Sequence, residues 1–416
     1  MAHIRPFRGL RPRPDLAEKV AAPPYDVINS EEARKMAEGN PYSFLHVNKP
    51  EIDLPPETDP HDPAVYAKGA ENLSRMITDG VFKKDARPSL YVYRQIMNDH
   101  AQLGLVACVS CQEYRENRIK KHELTRIDKE EDRLNHILSL HAQAGPVFLT
   151  YRAEKVIDDT IDKIIINDPV NDFKTGDGIQ HTLWTVDDHA LITRLQKEFE
   201  ALDALYVADG HHRSAAATRA AEELTRKNPA AGADAEFNFF LSVIFPDNQL
   251  KIMDYNRVIK DLNGLSEQAF LETLRTKFLV REFARSEGYK PKVKHDFGMY
   301  MGGMWYRLSA IPGTWNDSDP REKLDVSILY KNLLEPILGI GDLRTDKRID
   351  FVGGIRGIEG LEERVDKQEM MVAFSMYPTS IEDLLAIADA GEIMPPKTTW
   401  FEPKLRSGLF IHMLDE

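Results

Sequence analysis

The spacing of hydrophobic and polar positions predicts strands and helices that alternate along most of the chain. Apolar, β-branched and aromatic runs predict strands, and apolar residues recurring every three or four positions predict helices. The predicted strands cover residues 89–95, 102–111, 147–152, 202–208, 237–245, 298–309 and 370–376. The predicted helices cover residues 64–79, 128–143, 214–227, 266–278, 324–338 and 380–390. The order strand, turn, helix, strand around residue 210 indicates an α/β (α+β) fold.

Chain length and texture predict several domains. At roughly 100–200 residues per domain, 416 residues correspond to two or three domains. We expect an N-terminal α/β region over 1–115, a central domain over 116–262 and a C-terminal α/β region over 263–416. The last boundary rests on a change in texture after about residue 260, where helical segments alternate with short strands.

Composition narrows the class of protein. The net charge of −13 argues against a nucleic-acid partner, which requires a basic face that neutralises phosphates. No apolar run reaches the roughly 18 residues that would span a bilayer, and the N-terminal residues lack the apolar core of a signal peptide. The two cysteines, Cys108 and Cys111, are too few for a disulfide scaffold, and we expect two buried thiols in one strand. A cytoplasmic protein without membrane contact is the expectation.

The turn after the strand at 202–208 carries the clearest chemical signal. The strand ends in Asp209-Gly210-His211-His212-Arg213, and an alanine-rich helix follows at once. Glycine permits a sharp turn, and the first turn of a helix offers N–H groups and a partial positive charge. Histidine and arginine side chains add donors, which together favour an anion site, most often for phosphate. The alternative is that the aspartate only caps the helix and the histidines lie on the surface.

The charged segment 118–133 holds a second candidate. Glu123 follows His122, and a glutamate that the fold partly buries can act as a general base. The metalloprotease pattern H-E-x-x-H is absent, because Arg126 stands where the second histidine belongs. The alternative is a solvated, charged start of a helix, the usual meaning of such a run.

Two weaker signals flank these segments. The rigid, extended stretch 23–27 contains Tyr25 and Asp26, which are placed to reach a ligand but on their own indicate only an ordered loop. Lys397, Lys404 and Arg406 form a late basic cluster in an acidic protein. That cluster either closes over an anion or lies on the surface.

Several motifs together resemble the domain-of-unknown-function 1015 family. The motifs are Ala-Pro-Pro-Tyr-Asp-Val-Ile at 22–28, Asn-Pro-Tyr-Ser-Phe-Leu-His-Val at 40–47, Lys-Lys-His-Glu-Leu-Thr-Arg at 120–126, Asp-Lys-Glu-Glu-Asp-Arg at 128–133, Ala-Asp-Gly-His-His-Arg at 208–213 and Met-Pro-Pro-Lys-Thr-Thr-Trp-Phe-Glu-Pro-Lys at 394–404. The resemblance spans nearly the whole chain. The family name itself implies no function.

A remoter resemblance does imply chemistry. The strand, the Asp-Gly-x-His-Arg-like turn and the helix are similar to the nucleotide-phosphate loop of the ParB/sulfiredoxin fold. This resemblance implies a ParB/sulfiredoxin-like central domain with flanking α/β regions. ParB-like proteins bind CTP in this loop, sulfiredoxins bind ATP, and free serine kinases phosphorylate L-serine with ADP or ATP. Sulfiredoxin activity is not expected, because His211 and His212 occupy the region where the reactive cysteine would stand.

Carried onto this chain, the resemblance implies roles for individual residues. The implied catalytic residues are Glu123 as base, Asp209 and His212. The implied phosphate-binding residues are Gly210, His211, Arg213 and Ser214. Candidate substrate contacts are Lys121, His122, Thr125, Arg126, Tyr25 and Asp26. Mg²⁺ is the expected metal, bridging nucleotide phosphates, with Asp209 as its ligand or as the residue that positions His212.

These observations favour an enzyme that transfers a phosphoryl group from ADP or ATP to the hydroxyl of a small molecule, with free L-serine as a candidate. The alternatives are a non-catalytic nucleotide-binding regulator of the ParB type and a phosphohydrolase that uses the same loop. The expected partners are a nucleotide and a small-molecule substrate. The sequence leaves open whether the protein forms a homo-oligomer.

Overall fold

The computed structural model describes residues 2–415, which form two compact units. The first unit contains residues 2–121, 125–250 and 403–415, and the second contains His122–Leu124 and Lys251–Glu402. Each unit is therefore assembled from separate stretches of the chain. The division into regions 1–115, 116–262 and 263–416 stays a prediction.

Strands and helices alternate along the chain. The strands are β1 Ile4–Arg5, β2 Leu10–Pro12, β3 Phe82–Lys84, β4 Leu90–Met97, β5 His100–Ser110, β6 Ile119–Lys120, β7 Ala142–Gln143, β8 Val147–Tyr151, β9 Asn171–Lys174, β10 Gln180–Val186, β11 Leu205–Asp209, β12 Phe239–Pro246, β13 Lys251–Met253, β14 Tyr255–Ile259, β15 Phe278–Phe283, β16 Asp296–Met301, β17 Met304–Ala310, β18 Ile349–Gly353, β19 Val372–Ser375, β20 Trp400–Glu402 and β21 His412–Met413. The helices are α1 Ala17–Val20, α2 Ser30–Ala37, α3 Leu45–Asn48, α4 Pro63–Thr78, α5 Cys111–Arg115, α6 Ile127–Leu140, α7 Lys155–Ile165, α8 His189–Glu200, α9 His211–Lys227, α10 Glu267–Leu274, α11 Asp325–Leu329, α12 Glu359–Asp366 and α13 Ile381–Asp389.

A nine-stranded mixed sheet organises the first unit. Its order is β6-β11-β8-β12-β5-β4-β10-β9, and β1 pairs with β5 beside this path. The pairs β11–β6 and β12–β8 are parallel, and the other pairs are antiparallel. Every residue of β12 is buried, as expected of a central strand with a continuous apolar run. Strand β11, which ends in the Asp-Gly-His-His-Arg turn, therefore lies next to the outermost strand β6.

Helix α9 packs on this sheet through small side chains. Ala216, Ala217, Ala220 and Ala221 are at most 2% exposed and belong to the main hydrophobic core of the unit. Because alanine occupies little space, the helix backbone approaches β12 and α6 closely. This packing fixes the first turn of α9 at the carboxyl end of β11.

The second unit contains an antiparallel sheet of six strands in the order β15-β17-β16-β19-β14-β18. Trp305, Tyr300 and Val258 lie in its hydrophobic core and are fully buried. Strands β13 and β20 form a separate antiparallel pair. Among residues 2–415, no helix combines the length and the apolar character that crossing a membrane requires.

The mixed α/β class expected from the sequence is confirmed, and the differences have local causes. The strand predicted over 298–309 is the hairpin of β16 and β17, because Gly302 and Gly303 turn the chain with φ of 59° and 78°. The helix predicted over 324–338 is α11 followed by a π-helix at Tyr330–Leu334. The helix predicted over 214–227 begins three residues earlier, so that His211, His212 and Arg213 form its first turn.

The two cysteines are buried, as expected, but not in one strand. Cys108 lies in β5, whereas Cys111 begins α5. The hydroxyl of Ser110 accepts hydrogen bonds from the N–H groups of Gln112 and Glu113 and so starts the helix. Burial raises the pKa of Cys111 to about 12, which keeps it an unreactive thiol at neutral pH.

Candidate phosphate site at the start of helix α9

The turn between β11 and α9 depends on Gly210. Its φ of +96° lies in the left-handed region that favours glycine, and a Cβ there would stand 3.2 Å from the guanidinium carbon of Arg213. The strand register also shifts between Val207 and Asp209. The bulge and the glycine together turn the chain sharply from the strand into the helix.

The residue at the N-cap position of α9 is Gly210, which has no side chain to cap the helix. The first N–H groups of any helix lack partners within the helix and carry a partial positive charge. The electrostatics of this end of the 17-residue helix therefore favour an anion.

Asp209 does not supply the missing cap, because its carboxylate is held by two cations. The Nζ atom of Lys404 donates to Oδ2 at 2.8 Å, and Nη2 of Arg213 lies 3.8 Å from Oδ1. Burial raises the pKa of Asp209, but the charges of Lys404 and Arg213 outweigh it and hold that pKa well below its ordinary range. The carboxylate therefore stays ionised and fixes both cations beside the turn.

Arg213 is the most constrained cation at this site. Its side chain is 11% exposed, and Nη1 donates to the carbonyl of Pro146. Its buried Nε has no hydrogen-bond partner among residues 2–415. Burial lowers the pKa of Arg213, but Asp26, Asp209 and Tyr25 raise it by a larger amount, so the guanidinium keeps its charge. An unpartnered donor on a buried cation is a group that an anionic ligand would satisfy.

His212 joins the two segments that the sequence singled out. The N–H of Arg126 donates to Nε2 of His212 at 3.1 Å, so this nitrogen is an acceptor and the proton of the neutral ring lies on Nδ1. His211 is 4% exposed and sits under the turn. Ser214 is fully buried, and its hydroxyl donates to the carbonyl of His211 at 3.0 Å. The predicted phosphate contact of Ser214 stays a prediction.

The loop that carries Tyr25 and Asp26 lies close to Arg213. The guanidinium of Arg133 lies 3.8 Å from the ring centroid of Tyr25, a cation–π contact. A small cavity of about 40 Å³ is lined by Tyr25, Arg133, Arg213 and Ser407, among others. Ala22 and Ser407 exchange backbone hydrogen bonds, which ties this loop to the C-terminal segment. The structure thus brings Tyr25 and Asp26 to the Arg213 side of the turn.

The remaining predicted substrate residues are placed differently. Nζ of Lys121 donates to the carbonyl of Tyr114 at 3.3 Å, and the hydroxyl of Thr125 donates to Glu130. The guanidinium of Arg126 pairs with Asp128 at 2.7 Å on the surface. His122, which is 1% exposed, and Glu123 belong to the second unit. The predicted roles of these residues stay predictions.

Lys404 is a site residue that the sequence indicated only as part of a basic cluster. Two buried glutamines hold its backbone, since Nε2 of Gln95 donates to the Lys404 carbonyl at 2.9 Å and Nε2 of Gln102 to Oε1 of Gln95 at 2.9 Å. Two residues further on, Arg406 is 6% exposed and pairs with Asp177. The C-terminal segment is therefore anchored at Lys404 itself and at Arg406.

A metal held by the protein does not fit this site. Mg²⁺ is usually bound through one or two carboxylates, but the carboxylate of Asp209 is already paired with Lys404 and faces Arg213. Within the described residues, no group of three His, Cys, Asp or Glu side chains is arranged to hold a metal ion. A Mg²⁺ ligand at Asp209 is thus a prediction that the local charges disfavour.

Comparison with known proteins establishes the family. The model of the family described as "Protein of unknown function (DUF1015)" matches residues 4–327, so this chain belongs to that family, as the motifs predicted. No curated protein matches the chain.

Solved structures are similar at low levels. A free serine kinase mutant in complex with AMP is 14% identical with a TM-score of 0.36, covering 71% of this chain and 87% of its own. A conserved hypothetical protein from Pyrococcus furiosus is 15% identical with a TM-score of 0.35, covering 72% and 93%. SbnI from Staphylococcus aureus, truncated at its C-terminus, is 13% identical with a TM-score of 0.37, covering 71% and 82%. Likenesses at this level carry no information about the activity of this chain.

Proposed function

We propose that this protein transfers a phosphoryl group from a nucleotide, ADP or ATP, to the hydroxyl of a small molecule, with free L-serine as the first candidate. The observation that carries the proposal is the start of α9, where a helix end with glycine at its N-cap meets the buried guanidinium of Arg213. Phosphate is the anion that such an arrangement most often binds.

Phosphoryl transfer requires positioning and stabilisation of negative charge more than covalent chemistry from the protein. In the proposed reaction, the N-terminus of α9 and Arg213 bind the phosphates. Asp209 holds the ammonium of Lys404 at 2.8 Å, which adds a second positive charge beside the turn. These groups are pre-organised by burial and ion pairing, so they need little rearrangement when charge develops on the transferring group.

The acceptor hydroxyl needs a base, and Glu123 is our candidate. It lies three residues before Arg126, whose N–H donates to His212. A positioned carboxylate that accepts the hydroxyl proton contributes about 10²–10⁴-fold to rate. Glu123→Gln should therefore reduce turnover by a factor in that range and leave nucleotide affinity nearly unchanged. Full activity of this variant would remove Glu123 from the mechanism.

The test of the function is a turnover assay with ADP or ATP, with Mg²⁺ or EDTA, and with a panel of hydroxyl acceptors that includes L-serine. Acceptor-dependent formation of a phosphorylated product is the expected result. Phosphate release without an acceptor would make the protein a phosphohydrolase. Nucleotide binding without any turnover would make it a regulator. The absence of both binding and turnover would overturn the proposal.

A matched pair of histidine variants distinguishes an effect at the proposed site from the effect of removing a histidine elsewhere on the surface. His212→Ala removes the acceptor for the Arg126 N–H and should lower turnover. His189→Ala removes an exposed histidine at the start of α8 and should not change it. Equal activities of the two variants would contradict a role for His212.

A further inference from the structure

A cavity of about 550 Å³ lies within the second unit. Its walls come from residues 321–331, 341–344 and 393–396, together with Glu123 and Leu124. The size falls in the range of about 300–1,000 Å³ that is typical of small-molecule sites. Tyr330 and Lys331 on its wall belong to the π-helix at Tyr330–Leu334, and π-helical turns occur often at functional sites.

One wall of the cavity is apolar. It is formed by Leu124, Leu343, Ile393, Met394, Pro395 and Pro396. The N–H of Met394 donates to the carbonyl of His122 at 2.8 Å, which holds the segment before Leu124 against the segment 393–396. Leu124 itself is 60% exposed, so an apolar ligand group that covers its side chain would bind favourably through the hydrophobic effect.

The charges around the cavity balance. The lining contains three bases and three acids, namely Arg321, Lys331, Arg344, Glu123, Glu322 and Asp342. Lys331 pairs with Glu322 and Arg344 pairs with Asp342, each at 2.7 Å. Both bases stay about half exposed, which leaves donors open to a ligand. A rim without net charge selects against polyanions and suits a ligand that carries both signs.

Ser327 supplies a polar group inside this cavity. It lies in α11, lines the cavity and is 7% exposed. A serine hydroxyl both donates and accepts hydrogen bonds, so it offers a polar contact to a ligand that enters the cavity.

We propose that this cavity binds a short apolar peptide with free termini. The apolar wall would take the side chains, the mixed charges of the rim would meet the ammonium and the carboxylate, and the hydroxyl of Ser327 would meet a peptide carbonyl or amide. This inference concerns a cavity of the second unit and does not depend on the phosphate site of the first. The two proposals share Glu123, which is the proposed base and also one of the acids of the cavity.

Isothermal titration of the full chain tests this site. The ligands are trileucine, trileucine blocked by acetyl and amide groups, free leucine and citrate. Trileucine should bind, and the blocked peptide and leucine should bind at least several-fold more weakly, whereas citrate should not bind. Ser327→Ala should weaken trileucine binding about fivefold, as expected for one lost hydrogen bond. Ser318→Ala, at an exposed serine outside the cavity, should leave it unchanged.

Five results would contradict the inference. If trileucine does not bind, the cavity is not a peptide site. Equal affinity for free leucine would contradict the peptide size, and equal affinity for the blocked peptide would contradict recognition of the termini. Tighter binding of citrate would make the cavity an anion site. An unchanged affinity in Ser327→Ala would remove the hydroxyl from recognition.

Discussion

Helices α8 and α9 begin in the same unit but treat their positive ends in opposite ways. Helix α8 follows Asp188, whose carboxylate accepts the N–H of Leu191 at 2.9 Å. Helix α9 follows Gly210, which has no side chain, and the neighbouring carboxylate of Asp209 is bound to Lys404 instead. An aspartate stands within two residues of the start of each helix. Only Asp188 accepts a hydrogen bond from the first turn of its helix.

The difference indicates what each helix end is for. A helix N-terminus carries the equivalent of roughly +0.5 elementary charge, which a capping carboxylate neutralises. At α8 the protein satisfies this charge itself, and the result is structural. At α9 the N-cap residue is a glycine without a capping side chain, and the buried guanidinium of Arg213 lies beside the turn. We propose that the arrangement at α9 binds an anion from outside the chain, which is the basis of the proposed phosphate site.

The largest expected effect comes from Arg213. Arg213→Leu removes the buried charge, and we expect ADP affinity to fall about 100-fold, since paired charge-assisted hydrogen bonds to phosphate are lost. Isothermal titration measures the change. Arg219→Leu, on the same helix and paired with Glu130 at 3.4 Å, is the matched control and should bind normally. If both variants bind ADP equally well, the site does not use Arg213.

Gly210→Ala should have the next largest effect. Its φ of +96° strains any L side chain by about 1–2 kcal/mol, and the new Cβ would stand 3.2 Å from the guanidinium of Arg213. We expect that loss in the free energy of unfolding, measured by urea denaturation, together with about tenfold weaker ADP binding as Arg213 moves. Gly80→Ala has a similar φ of +69° but nothing within 4 Å. Gly80→Ala should lower the free energy of unfolding without changing ADP affinity. Weaker ADP binding in this control would contradict the explanation that Gly210→Ala acts by displacing Arg213.

Lys404→Met tests the ion pair that holds Asp209. We expect the free energy of unfolding to fall by about 2 kcal/mol at pH 7, as for a hydrogen bond to a charged group. The pKa of Asp209 is lowered in the folded protein, so the stabilisation is present above the unfolded value of about 3.9 and is lost progressively as pH falls from there through the lowered folded value. Urea denaturation from pH 7 to pH 3 should therefore show the difference between the two proteins beginning to narrow in acid.

The control for this pair is Lys227→Met. Lys227 is 60% exposed and pairs with Glu223 at 2.7 Å, so its loss should cost less than about 0.5 kcal/mol at any pH. A difference between Lys404→Met and wild type that stays constant down to pH 3 would mean that Asp209 does not carry the effect.

The smallest effect completes the comparison. Asp188→Ala removes the cap of α8 and should lower the free energy of unfolding by about 1 kcal/mol, measured by urea denaturation. ADP affinity should not change, because the charge of this helix end is structural. Weaker ADP binding in this variant would indicate that ADP binds at the start of α8, which would contradict a phosphate site at α9.

The sequence was sufficient to predict the turn at 209–213 because its signals are local. A glycine that permits positive φ, a run of donors and an alanine-rich helix occupy consecutive positions, and each has a direct physical meaning. The helix begins three residues earlier than predicted, since polar His211, His212 and Arg213 do not show the apolar period by which a helix is identified. Their inclusion strengthens the site, because they form the first turn itself.

The partners of the turn could not be predicted in the same way. Lys404 lies 195 positions from Asp209, and nothing in its local sequence specifies that aspartate. Its place depends on Gln95, Gln102 and the Arg406–Asp177 pair, which hold a C-terminal segment without a regular period. The same holds for the mixed sheet, whose strand order follows from long-range pairing. Local patterns predicted β4, β5, β8, β11 and β12 of this sheet, but not β1, β6, β9 and β10, and not which strands pair.

The most direct test of the central claim is a titration of ¹⁵N-labelled protein with ADP, followed by the amide resonances of the two helix starts. We expect the amides of His211, His212 and Arg213 to shift at the lowest ADP concentrations, while those of His189 and Leu191 at the start of α8 stay in place. Binding that shifts other amides and leaves the start of α9 unchanged would contradict the phosphate site.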